Sequence, residues 1–413
     1  MWKKSVAEEI RGERKAGKDN SRLSPNSYFC NQSNQNKHIM DWEYKQPVRI
    51  RFGEGMVRCL AKEIEKLGGE NGVLVTSPSF VKRGITDKII NLSGGRLKHV
   101  FSSVSPNPDV KECDQCAALM HTSGCDFVVA MGGGSVMDCA KAAATFCLCP
   151  EGYSSTDFLG TSLTIPQRHL PLIAVPTTAG TASEVTCVSV LSDHDRGVKA
   201  PLVSDGFYPT LAIVDPELTY SVPPHLTACT GFDVLCHSVE AYWSRHHQPA
   251  CDALAVHAAR NVLTYLHRAV ANGKDHEARS GMAEASVIAG LAFNLPKTTS
   301  SHACSYPLTN LLGIPHGEAC ALTLTYFIRL NDELGSNRPY RMALLLGYDS
   351  AEEMASHIDK LKAQTGMMSD LRSFNLSKPQ LEQLVKGSMH PNLKNNPIEI
   401  TETMLRQMYE AMI

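Results

Sequence analysis

Four short runs in the first half of the chain are apolar throughout: Val73-Leu74-Val75-Thr76, Phe127-Val128-Val129-Ala130-Met131, Leu172-Ile173-Ala174-Val175 and Leu211-Ala212-Ile213-Val214. A strand without polar alternation is covered on both faces, so these runs predict a parallel sheet flanked by helices. Turn residues follow each run: Ser77-Pro78, Gly132-Gly133-Gly134, Pro176-Thr177-Thr178 and Asp215-Pro216. Past Pro223-Pro224 the period changes. Ala255, Ala259, Val262, Leu266 and Val270 recur at helical spacing, and Gly273 closes that helix. Stretches 277–293, 308–330 and 401–412 also read as largely helical. The pattern predicts an α/β domain over 41–219 and an all-helical domain over 220–413.

Residues 1–39 lack this order. They hold eight Lys/Arg against four Asp/Glu, with Asn and Ser clusters. They suggest a disordered leader, since a signal peptide needs an apolar core and a transit peptide avoids acids. Met40 is an alternative start. A length of 413 residues exceeds the ~250–300 at which single cores stop growing, which supports two domains. A net charge of −2 and pI near 6.8 argue against a nucleic-acid-binding surface. Apolar runs fall far short of the roughly 20 residues of a membrane helix. Fourteen cysteines without regular spacing suit free, buried thiols of a reducing cytoplasm. Cys113-x-x-Cys116, with Cys125 nearby, has a metal-like spacing but no second pair, so it is taken as structural.

Two loops suit a phosphate-bearing ligand. Gly132-Gly133-Gly134-Ser135 follows a strand and opens a helix through Asp138 and Lys141, whose N-terminus can face a pyrophosphate. A tight strand–helix turn uses the same residues, and the G-x-G-x-x-G fingerprint is absent. The second loop runs through Thr177, Thr178, Thr181 and Ser183. It suits contacts to phosphate, ribose or amide, or simple capping. Asp233 and His237, four apart, share a helix face and can ligate one cation. His302 and His316 could complete a carboxylate–imidazole set for Fe²⁺ or Zn²⁺ with an open position. Spacing alone does not bring the two segments together.

In order and spacing, these segments resemble the iron-containing (group III) alcohol dehydrogenases. The likeness rests on Gly132-Gly133-Gly134-Ser135…Asp138…Lys141, on 176–186, on Val214-Asp215-Pro216, on Gly231-Phe232-Asp233…His237, on His302 and on Pro315-His316-Gly317. It implies the dehydroquinate-synthase-like fold: a dinucleotide-binding α/β domain with a parallel sheet, an all-α metal domain and a cleft between them. It also implies a cytoplasmic homodimer that interconverts a small aldehyde and its alcohol with NAD(H) or NADP(H). Metal ligands would be Asp233, His237, His302 and His316. Cofactor contacts would be Gly133, Gly134, Ser135, Asp138, Thr177, Thr178 and Thr181.

Ser77 stands where many NAD-using relatives carry a ribose-binding Asp, which leans toward NADPH or dual use. Tyr306 replaces a further family His and is a candidate proton donor. Residues 231–244 and 297–317 resemble the phosphonoacetaldehyde reductases, although that group often has Gln at the position of His237. The expected substrate is therefore phosphonoacetaldehyde, with Lys297, Thr298, Thr299 and Ser300 compensating its charge. A general small-alcohol dehydrogenase, a dehydroquinate-synthase-like lyase and a non-catalytic scaffold are the alternatives.

Overall fold

Six parallel strands build the sheet of the first half: β1 (Arg49–Phe52), β2 (Gly72–Val75), β3 (Leu97–Phe101), β4 (Phe127–Gly132), β5 (Leu172–Pro176) and β8 (Leu211–Val214). Their order is β1-β8-β5-β4-β2-β3. A separate antiparallel hairpin, β6 (Val188–Asp193) and β7 (Val198–Val203), lies between β5 and β8 in the chain. This is a computed structural model, and it describes residues 41–149, 154–161 and 163–413. The expected leader and the alternative start at Met40 lie outside the described residues.

Strands β2, β4, β5 and β8 are buried at every position. Successive side chains feed opposite faces. Val73, Val75, Val128, Ala130 and Ala174 pack in one core with residues of α4 (Val110–Thr122) and α5 (Gly134–Phe146). Leu74, Val129, Met131, Ile173, Val175 and Ile213 pack in another, which includes Leu60 and Ile64 of α1 (Leu60–Lys66) and Ile89 of α3 (Ile85–Leu92). The short helices α2 (Pro78–Lys82) and α6 (Ser155–Phe158) complete this half.

From β2 the chain moves outward to β3; from β4 it moves the other way to β5. The carboxyl ends of β2 and β4 therefore flank a topological switch point, where open α/β sheets bind ligands. There Thr76 Oγ1 donates to the Met131 carbonyl at 2.8 Å.

The second half is helical: α7 (Pro224–Trp243), α8 (Pro249–Ala271), α9 (His276–Phe293), α10 (Ser300–Leu312), α11 (His316–Glu333), α12 (Arg338–Leu346), α13 (Ala351–Gln364), α14 (Lys378–Ser388) and α15 (Glu402–Met412). The stretch 308–330, expected to be largely helical, is split. Gly313 ends α10 in the left-handed region at φ 70°. Pro315, which cannot continue a helix, precedes α11. Ala182, Val185, Tyr208 and Val214 from the first half share a small core with Ala283 and Val287 of α9. Residues Tyr44–Ile413 form one compact unit.

Candidate metal centre and cofactor crevice

Helix α7 is buried over nearly its whole length from Thr227 to Trp243. Asp233, His237 and Glu240 fall at i, i+4 and i+7 along it, one above another. Asp233 Oδ1 lies 3.8 Å from His237 Nε2, 3.5 Å from His302 Nε2 and 3.8 Å from His316 Nε2. The segments that spacing left unconnected thus meet at one carboxylate oxygen.

Buried polar atoms normally find partners. Among the described residues, Asp233 Oδ1, His302 Nε2 and His237 Nδ1 are buried without a hydrogen-bond partner. A convergent carboxylate oxygen and imidazole nitrogens fit a divalent cation. Burial pushes the Asp233 carboxyl up, but His237, His302 and His316 outweigh that and hold it well below the usual range. Burial pushes His237 down to about 4, which leaves its ring neutral and able to coordinate at neutral pH.

His302 is positioned from behind. Its Nδ1 donates to Glu240 Oε2 at 2.5 Å. Glu240 also accepts from the backbone N–H of Thr299 at 3.1 Å and of Ser301 at 2.6 Å, and from Thr299 Oγ1 at 2.9 Å. One carboxylate thus caps the N-terminus of α10, orients the imidazole and ties α10 to α7.

His316 opens α11. A Cβ on Gly317 would lie 2.0 Å from the Cys229 carbonyl oxygen and 3.1 Å from Asp233 Cβ. Only glycine lets α11 approach α7 closely enough to bring His316 to Asp233. Gly317→Ala is expected to cost roughly 1–3 kcal/mol through overpacking and to lower bound metal. Thermal unfolding and metal content check this; unchanged values for both would contradict it.

Sequence reasoning gave no site role to Glu240, Ser305, Cys320 or His390. Ser305 Oγ lies 3.2 Å from His316 Nδ1, and Cys320 Sγ lies 3.9 Å from His316 Nε2. Burial pushes the Cys320 thiol up, but His302 and His316 bring it to about 7. The ring of His390 sits 4.6 Å from that of Tyr306. Helical offsets could have flagged two of these: Glu240 is seven beyond Asp233, and Cys320 is four beyond His316.

Tyr306 is partly buried on α10, its ring 6.4 Å from that of His316. Lys297 is left-handed at φ 65°, and its Nζ donates to the Asn294 carbonyl at 2.7 Å. The hydroxyls expected beside it are hydrogen-bonded within the chain. Thr298 Oγ1 accepts from Asn392 Nδ2, Thr299 is bound by Glu240 and Trp243, and Ser300 Oγ donates to Asn396 Oδ1. These bonds anchor the buried start of α10.

At the sheet, the loops after β4 and β5 lie side by side, with Thr177 N donating to the Gly132 carbonyl at 3.0 Å. A Cβ on Gly134 would meet Thr181 at 2.8 Å, and one on Gly133 would meet Thr178 at 3.4 Å. Ser135 Oγ accepts from the Asn107 N–H at 3.2 Å. Ser77 lies at the end of β2, its Oγ 2.9 Å from Ser79 Oγ. Asp138, expected as a cofactor contact, is also bonded within the chain. Its Oδ1 accepts from Ser183 Oγ at 2.6 Å and its Oδ2 from Val190 N–H at 3.0 Å, while Lys141 Nζ bonds Ser183, Thr186 and Val188. The carboxylate thus braces the loop after β5 against α5.

The family described as iron-containing alcohol dehydrogenase matches residues 47–216, and its C-terminal description matches 227–413. Alcohol dehydrogenase 4 of Schizosaccharomyces pombe is 35% identical, covering 92% of this chain and 94% of the relative. Long-chain-alcohol dehydrogenase 1 of Geobacillus thermodenitrificans is 36% identical, covering 88% and 95%. The structure of sulfoacetaldehyde reductase from Bifidobacterium kashiwanohense in complex with NAD⁺ is 54% identical with a TM-score of 0.88, covering 90% of this chain and 99% of that one. The chain belongs to the iron-containing alcohol dehydrogenase family and is a nicotinamide-dependent oxidoreductase. No helix among the described residues is long and apolar enough to cross a membrane.

Proposed function

We propose that this iron-type alcohol dehydrogenase reduces a two-carbon aldehyde bearing a tetrahedral anionic head group, sulfoacetaldehyde foremost, to its primary alcohol. The observation that carries this reading is the 54% identity, over 90% of the chain, to a sulfoacetaldehyde reductase. Phosphonoacetaldehyde is the second reading, favoured by the sequence of 297–317; the two substrates share a two-carbon aldehyde and a tetrahedral oxyanion.

In this reading Asp233, His237, His302 and His316 hold an Fe²⁺ ion, and Zn²⁺ suits the same donors. When bound, the cation polarises the carbonyl oxygen and stabilises the negative charge that hydride arrival places on it. Gly133, Gly134, Ser135, Thr177, Thr178 and Thr181 seat the dinucleotide at the switch point. Burial raises the Tyr306 phenol, which keeps it protonated and able to donate to the nascent alkoxide. Lys297 has donors beyond the one spent on Asn294 and attracts the anionic head. Residues 41–219 then serve as the cofactor domain and 220–413 as the metal domain of a cytoplasmic homodimer.

A charge-assisted hydrogen bond to the head group contributes roughly 1.5–3 kcal/mol. Wild type should therefore favour sulfoacetaldehyde over propanal by about one to two decades in kcat/KM. Lys297→Ala should lose that margin on sulfoacetaldehyde and little on propanal. A wild-type preference for propanal defeats the anionic-substrate reading, and a preference for phosphonoacetaldehyde installs the second one.

Ser77 leaves the ribose end of the crevice without a carboxylate to repel a 2′-phosphate. NADPH should serve at least as well as NADH, and Ser77→Asp should shift preference toward NADH. A wild-type preference of about a hundredfold for NADH, roughly 2.7 kcal/mol, would contradict this.

A further inference from the structure

We propose a second metal site in this chain, a zinc clamp built by His225 and Cys229 of α7 and Glu318 of α11. It lies apart from the Asp233 set and goes beyond the function proposed above. His225 and Cys229 are four apart, so both side chains reach one face of the first turns of α7. Cys229 Sγ lies 3.8 Å from each ring nitrogen of His225. Glu318 Oε2 lies 3.2 Å from His225 Nε2. One donor atom from each of the three residues falls within 4.8 Å of the other two. Cys229 and Glu318 are buried, at 3% and 5% exposure, whereas the His225 side chain is 58% exposed. A cation would meet a buried floor through an open side. The second carboxylate oxygen, Glu318 Oε1, accepts from the Met368 N–H at 2.9 Å, which fixes the group from behind. Glu318 is two residues past His316, so it leaves α11 on a different side from that ligand.

Thiolate, imidazole and carboxylate leave a fourth position for water, as three-ligand zinc sites do. A sulfur and a nitrogen donor disfavour magnesium and calcium. Without a cation, burial and the Glu318 carboxylate push the Cys229 thiol up to about 12, so it stays protonated. On binding, that proton passes to water and the sulfur donates to the cation. Thiolate and carboxylate together then neutralise a divalent ion, and the start of α7 is tied to α11.

Cobalt(II) titrated into the metal-free full chain tests this. We expect about two cobalt ions per chain and a near-ultraviolet thiolate-to-cobalt band from one of them. Cys229→Ser should lose the band and one ion. His225→Ala should weaken zinc at this site by roughly a hundredfold, read by chelator competition, since even an outer partner of a ligand is worth about 10–100-fold. His316→Ala, which removes a ligand of the other centre, should keep the band and the ion that gives it. Zinc-loaded wild type should unfold a few degrees above zinc-loaded His225→Ala, and the two should unfold nearly alike after chelation. No band in the wild type, or a band that survives Cys229→Ser, overturns the proposal and leaves the Asp233 reading standing. Equal unfolding of the two loaded proteins overturns the clamp. A single cobalt per chain whose band depends on Cys229 supports this site and counts against the other.

Discussion

His316→Ala is expected to empty the metal centre and lower kcat/KM by about three decades or more. His316 sits 3.8 Å from Asp233 Oδ1 and reaches it only because Gly317 admits α11 to the surface of α7. Alanine at 316 leaves the helix intact and removes one donor, so affinity falls without a large packing defect. Polarisation of the carbonyl by the cation is worth several kcal/mol; about 4 kcal/mol corresponds to about three decades. Metal analysis and steady-state kinetics should move together. Nicotinamide binding should persist, because its loops follow β4 and β5 and lie outside α11. Chelation of the wild type should reproduce the loss and added Fe²⁺ or Zn²⁺ should reverse it. Full turnover by metal-free protein would defeat the assignment.

Glu240→Ala is expected to damage stability and metal binding together. The carboxylate holds the Thr299 and Ser301 amides, the Thr299 hydroxyl and His302 Nδ1, and it is fully buried. Its removal strands several buried donors at once, a defect of roughly 3–5 kcal/mol. His302 also loses the partner that fixes its ring, for which a further 10–100-fold loss in metal affinity is typical. Glu240→Gln keeps the volume and one acceptor. It should recover most of the stability but little of the affinity. Denaturant unfolding and metal competition separate the two effects, and equal recovery of both would contradict an orienting role.

Much of this architecture is legible in the residues, for reasons of coverage. Strands β2, β4, β5 and β8 lie inside the sheet, so both faces demand apolar side chains and the runs stand out. Strand β3, Leu97-Lys98-His99-Val100-Phe101, is at the edge; it exposes Lys98 and Val100 and gives no clean run. The β6–β7 hairpin hides for the same reason. The break at Gly313 is marked by residues already in view, Gly313 and Pro315, but the flanking apolar periodicity masks it. At the metal, His and Asp stand out because few other roles suit them inside a core. Glu240 does not, because its partners are backbone amides fifty-nine and more positions away. For Thr298, Thr299 and Ser300 the residue types alone do not show that their hydroxyls also bond within the chain at the start of α10.

The Glu240 clamp also bears on how the protein acquires its ion. Because His302 is aimed by hydrogen bonds within the chain, its orientation does not wait for a metal to arrive. Folding and metallation are therefore expected to be separable, with a folded, metal-free chain between them. Such a precursor selects among ions by affinity and supply at the moment of loading, and its own donors set no strict geometric filter. The same polypeptide made in an iron-poor, zinc-rich medium should carry zinc, and the two preparations should differ in turnover while unfolding alike once stripped.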